Sequence, residues 1–122
     1  MQENPVRWFE IYVQDMARAR AFYEAVLRRK LDKLDTPDME YWAFATEQDH
    51  PGVGGALVKR PGVPSGGSTL VYFGCDDCAV EAARVAPAGG HIHREKMSIG
   101  QYGFIALAVD TEGNMFGLHS MQ

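Results

Sequence analysis

Two stretches of this chain follow one plan. VRWFEIYVQD leads into MARARAFYEAVLRRK, and STLVYFGCDD leads into CAVEAARVAPAGG. Each is an apolar strand-like run, an aspartate where a helix would begin, and an alanine-rich stretch with helical spacing. Superposing Asp15 on Asp77, 62 residues further on, sets Trp8 over Leu70, Glu10 over Tyr72 and Val13 over Cys75. That offset is close to half of the 122 residues, so the fold must be built from two similar units.

Short strand-like runs follow each helix. The first half has a weak one around Lys30 to Leu34, then MEYWAFAT and GGALVK; the second has HIHREK, YGFIALAVD and MFGLHS. Between the last two, Asp110-Thr-Glu-Gly113-Asn114 reads as a hairpin turn with glycine where a positive φ is wanted. Each half is therefore β-α-β-β-β, and the chain is expected to be one α+β domain over residues 1–122. Its first module is placed at about residues 5–60 and its second at about 68–121. The Pro, Gly and Ser content of RPGVPSGGS, Arg60 to Ser68, marks a linker centred on residues 61–67. On the first helix Ala17, Ala21, Phe22 or Tyr23, Ala25 and Val26 are expected to face the core, with Arg18, Arg20, Glu24 and Arg28 outward. Arg28-Arg29-Lys30 would finish that helix at its negative dipole end.

A net charge of −4 and a pI near 5.5 give no basic footprint for nucleic acid, and disfavour an anionic membrane. MQENPVRW lacks the charged-then-apolar pattern of a signal peptide, and no apolar run approaches the roughly 20 residues of a membrane span. A cytoplasmic location is the default expectation. Cys75 and Cys78 form one CxxC, too few ligands for a zinc site; Cys75 closes an apolar run and reads as a small buried hydrophobe.

The duplicated plan resembles the vicinal oxygen chelate superfamily of glyoxalases, bleomycin-resistance proteins and extradiol dioxygenases. The resemblance is carried by Val13, Asp15, Ala19 or Arg20, Phe22 and Tyr23 around the first strand and helix, and by Asp110, Glu112, Gly113 and Asn114 near the end. It implies a curved mixed sheet around a concave cleft, with the helices on the outer face, and a homodimer that sometimes exchanges halves. Metal-dependent members are expected to place a histidine-like ligand on the first strand of each half and a glutamate on the last. The first-strand positions fall on Trp8 and Leu70, and the last-strand ones near Gly117 and near Gly55 or Ala56. None offers a ligand atom, so no metal and no other cofactor is expected, unless a displaced set near Glu10 and His119 holds a divalent ion.

Moving two residues along a strand keeps the same face. Glu10, Tyr72 and His119, each two beyond an expected ligand position, should share the cleft side, while Phe9, Ile11, Val13, Val71, Phe73, Phe116 and Leu118 face the helices. A carboxylate inside WFEIYVQD then has a reason, because burying it unpaired would cost several kcal/mol by order of magnitude. Glu10 and His119 become the candidate acid and base, and Trp8, Tyr12, Trp42, Tyr72 and Tyr102 the candidate ligand contacts. The competing reading is a solvated Glu10–His119 pair at a dimer contact.

Other features carry less. His91 and His93 alternate as if to share a strand face, but lack a third ligand; His50 lies in a turn-rich loop. PGVGG is not followed by a helix pattern and is no phosphate cradle. The function expected is a small-molecule protein that takes an aromatic or carbonyl-containing ligand without the usual metal. The alternatives are a metal-dependent lyase, isomerase or dioxygenase, and a purely associative subunit.

Overall fold

The computed structural model describes residues 4–37, 39–47, 52–64 and 69–122. His50 and the linker residues Ser65 to Ser68 lie outside the described residues. The chain forms two compact units, one of Trp8–Thr69 and one of Leu70–Gln122 together with the residues up to Arg7.

The first unit has β1 (Val6–Tyr12), α1 (Met16–Leu27), β2 (Leu31–Leu34), β3 (Glu40–Phe44) and β4 (Gly54–Lys59), with the first two residues of β1 belonging to the other unit. β1 runs parallel to β4, and β3 is antiparallel to both β2 and β4, so the strand order is β2-β3-β4-β1. Asp15 caps α1 by accepting from the Arg18 amide at 3.0 Å. That cap sets the phase of the helix. Met16, Ala19 and Tyr23, at i, i+3 and i+7, pack against Val13, Leu31, Leu57 and Phe44.

The inward stripe therefore differs from the expected one. Phe22 is 58% exposed and Val26 61%, and Ala17, Ala21 and Ala25 are exposed as well. Arg20, expected outward, lays its guanidinium on the Trp42 ring, 3.4 Å from the centroid, and Glu24 accepts from the Leu31 amide at 3.0 Å. A planar guanidinium and a long aliphatic stem can roof an aromatic ring while the charge stays near water, which lets a polar residue serve the core side. The basic cluster does not finish the helix either. α1 ends at Leu27, Arg28 takes a left-handed conformation (φ 52°) as its C-cap, and Arg29 donates to the Ala45 carbonyl at 2.9 Å.

The second unit has β5 (Thr69–Gly74), α2 (Cys78–Val85), β6 (His91–Ser98), a 3-10 turn at Gly100–Tyr102, β7 (Phe104–Val109) and β8 (Met115–Ser120). Its order is β5-β8-β7-β6, with β5 parallel to β8 and the rest antiparallel. Asp77 caps α2 through the Ala79 amide and accepts from Lys96 Nζ at 2.8 Å, and the lysine holds this carboxylate below its ordinary pKa. Cys78, Ala82, Ala106 and Leu118 form the core with Phe73, Ile92, Phe104 and Phe116 around them. The β7–β8 hairpin turn is tied by Asp110 Oδ1, which accepts from the amides of Glu112 and Asn114, with Gly113 at φ +90°.

Ser120 joins this core to α2. It is 1% exposed; its hydroxyl accepts from the Cys78 amide at 3.0 Å and donates to the Gln122 carbonyl at 2.8 Å. Ser120→Ala should cost about 1–2 kcal/mol, because a helix-end amide is left buried without an acceptor. A urea midpoint equal to that of the native chain would contradict this.

Candidate functional site

In β1, Ile11 packs on the α1 side, so Glu10 projects from the opposite face with Trp8 and Tyr12. Glu10 is 3% exposed. Trp8 Nε1 donates to its Oε2 at 3.2 Å and the Tyr12 hydroxyl to its Oε1 at 3.0 Å; the Tyr41 hydroxyl is a third hydrogen-bond partner. Space for the carboxyl exists because the residue paired with it on β4 is Ala56, which is fully buried and small.

Burial pushes the Glu10 carboxyl above its ordinary pKa, and the bonds from Tyr12, Trp8 and Tyr41, with the Arg60 charge, offset this only in part. Desolvation beside that carboxylate also drives the hydroxyl pKa values of Tyr12 and Tyr41 upward, so both remain donors. The result is a carboxyl group in an apolar setting, fully partnered by aromatic N–H and O–H groups. It is enclosed rather than open to a solvated cavity, and its partners are aromatic rather than a histidine.

Tyr41 and Arg60 were not singled out in the sequence. Trp42, rather than Tyr41, is the residue of MEYWAFAT that the sequence leads one to expect at the site. The register brings Tyr41 to it instead: Tyr41 pairs with Val58, and Val58 pairs with Tyr12, so these three share a face. Trp42 pairs with Leu57 and packs in the α1-side core beneath Arg20, with its Nε1 donating to Glu40 at 3.0 Å. It therefore stands on the face away from Glu10.

In the second unit Leu118 faces α2, so His119 projects the other way. Its Nε2 lies 2.6 Å from the Tyr102 carbonyl oxygen. The Tyr102 ring itself is 43% exposed. Tyr72 is buried and pairs with Gly117, whose missing side chain its ring replaces: a Cβ at 117 would stand 2.2 Å from Tyr72 Cδ1. A separate recess of about 290 Å³ lies on the α2 side, bordered by Val85, Ala88, Val109, Phe116 and Leu118.

The donor set does not fit the metal site that the resemblance implies. Trp8, Leu70, Ala56 and Gly117 supply no ligand atom, and the space next to Gly117 is taken by an aromatic ring. Among the described residues no group of three or more His, Cys, Asp and Glu side chains is placed to hold an ion. His91 and His93 do not alternate simply, because the β6–β7 register shifts between Ile92 and Arg94 and makes His93 the extra residue of a bulge. The Cys75 thiol, raised to about 11 by burial and then by Glu81, is no thiolate nucleophile; it donates to the Phe73 carbonyl. Within the described residues no helix is long and apolar enough to cross a membrane.

Comparison with known proteins agrees with this architecture. The chain is 31% identical over 112 residues to the "Putative glyoxylase CFP32" of Mycobacterium tuberculosis and of Mycobacterium bovis, a match covering 91% of this chain and 42% of theirs. It thus spans less than half the length of these curated relatives. Among solved structures, methylmalonyl-CoA epimerase from Mycobacterium tuberculosis superposes with a TM-score of 0.72 at 13% identity, over 97% of this chain and 88% of that one. A hypothetical protein from Bacillus halodurans superposes with a TM-score of 0.75 at 14% identity, over 99% and 96%. At such identities the likeness is one of fold. Residues 6–118 match the family described as Glyoxalase/Bleomycin resistance protein/Dioxygenase superfamily, and the chain belongs to that superfamily.

Proposed function

We propose that the face formed by Trp8, Glu10, Tyr12 and Tyr41 binds a small aromatic or carbonyl-containing molecule without a divalent ion. The observation that carries this is Glu10 itself, a carboxyl buried to 3% exposure on the strand face away from the helix and held by aromatic donors. Such a group keeps its proton to higher pH than a solvated glutamate, and a carbonyl oxygen is the acceptor to which it would offer that proton. The aromatic rings supply the apolar contact that small-molecule sites share. The names of the relatives, a glyoxylase and an epimerase of methylmalonyl-CoA, are consistent with chemistry on carbonyl compounds. His119 bonds to Tyr102 within its own unit and is given no part in this face.

We take the working form to be a cytoplasmic homodimer. The match to CFP32 leaves that protein room for a second domain of this size, exposed Phe22 and Val26 offer an apolar surface on α1, and both cysteines are free thiols.

The two indole N–H groups make the ligand reading testable, since Trp8 is in the cluster and Trp42 is on the other face. Titration with benzaldehyde and with acetophenone, followed by nitrogen-15 NMR, should shift the Trp8 indole signal and leave Trp42 unmoved. Glu10→Gln should weaken binding by about tenfold, the loss of roughly one charge-assisted or strong hydrogen bond. Shifts confined to the α2-side recess, or tight stoichiometric binding of manganese, iron, nickel or zinc to the native chain, would overturn the reading.

A further inference from the structure

His119 shows a second chemistry, independent of the Glu10 cluster. Its Nε2 approaches the Tyr102 carbonyl to 2.6 Å, and a carbonyl oxygen can only accept. Nε2 must therefore carry the hydrogen, and in the neutral ring Nδ1 is left with a bare lone pair. Nδ1 is buried and has no hydrogen-bond partner among the described residues. An unpaired buried acceptor is costly, so one held in place by a well-made bond on the other side of the same ring calls for a reason.

The bond to Tyr102 is made possible by one glycine. Tyr102 ends the 3-10 turn, which is closed by the Gly103 amide donating to the Gly100 carbonyl at 3.1 Å and by the Ile99 amide donating to the Gly103 carbonyl at 2.8 Å. Gly103 has φ +103° and ψ −133°, a backbone region essentially reserved for glycine. A Cβ there would stand 2.4 Å from the Ser120 carbonyl oxygen and 3.3 Å from His119 Nε2. The turn can press against β8 only because residue 103 lacks a side chain. The histidine backbone is itself fixed, paired with Ile105 on one side and Gly74 on the other.

We infer that Gly103 is a positioning residue which seats the Tyr102 carbonyl on His119, locks the neutral ring as its Nε2–H tautomer, and thereby presents Nδ1 as the acceptor for a ligand hydroxyl. Phenol is the probe of that class, and anisole is its counterpart without the donor.

Long-range nitrogen-15 NMR of the imidazole rings, with His119 assigned through His119→Asn, reads the tautomer directly. The native chain should show a pyrrole-type Nε2 and a pyridine-type Nδ1 for this ring, and phenol but not anisole should move the Nδ1 signal upfield. Gly103→Ala should collapse the pair toward averaged tautomers. Gly100→Asn, at φ +73° with no atom of the described residues within 4 Å of an added Cβ, should leave it intact. An averaged or Nδ1–H ring in the native chain, an equal or absent response to phenol and anisole, or a folded Gly103→Ala with the native tautomer would each overturn the inference. If Gly103→Ala does not fold, the native tautomer and the phenol response still decide it.

Discussion

Glu10→Ala should destabilise the protein by roughly 2–3 kcal/mol near about pH 5, while Glu10→Gln loses about 1 kcal/mol. The asymmetry follows from the partners. Alanine leaves the Trp8 indole N–H and the Tyr12 and Tyr41 hydroxyls without their acceptor, whereas glutamine keeps one acceptor oxygen in place. Equal unfolding free energies for the two variants would mean that the three donors find other partners.

The same group sets a pH dependence of known sign. Burial raises Glu10 in the folded state above the ordinary 4.5, so the folded chain binds a proton that the unfolded chain has already released. The stability that native protein gains relative to Glu10→Gln is fully present below about 4.5 and is lost as pH rises through the folded-state value. Urea unfolding of both proteins across that window should show the difference shrinking with rising pH. A difference that grows would indicate a depressed carboxylate instead.

Gly117→Ala is the second large effect. The added methyl would stand 2.2 Å from the Tyr72 ring, which is itself buried and borders the parallel β5–β8 pair. Forcing one carbon into a filled space costs about 1–3 kcal/mol. A double-mutant cycle with Tyr72→Ala should recover most of that loss, since removing the ring removes the clash. Purely additive losses would show that Tyr72 and residue 117 do not compete for one space. The pairing also explains why a glutamate is excluded here: an aromatic ring occupies the place such a side chain would need.

The doubled β-α-β-β-β plan was readable because its signals are local. Asp15 and Asp77 cap their helices, the DTEGN turn forms where glycine permits it, and period-two alternation put Ile11, Val13, Phe73, Phe116 and Leu118 on the helix sides. What failed to show was anything set by register or by tertiary contact. α1 reads as alanines on one stripe and arginines on another, yet Arg20 roofs Trp42, because a ring on β3 lay within reach of its guanidinium. Periodicity places Tyr41 and Trp42 on opposite faces but cannot say which face meets Glu10; pairing through β4 does. The Tyr102 carbonyl on His119 depends on the backbone of a glycine, which no pattern of side chains reveals.

The carboxyl carbon of Glu10, followed by carbon-13 NMR against pH and assigned through Glu10→Gln, tests the central claim most directly. The account predicts a midpoint clearly above 4.5, with the Trp8 indole signal moving in the same titration step. A midpoint at or below 4.5, or a Trp8 signal blind to it, would contradict a buried, proton-holding carboxyl at the centre of the site.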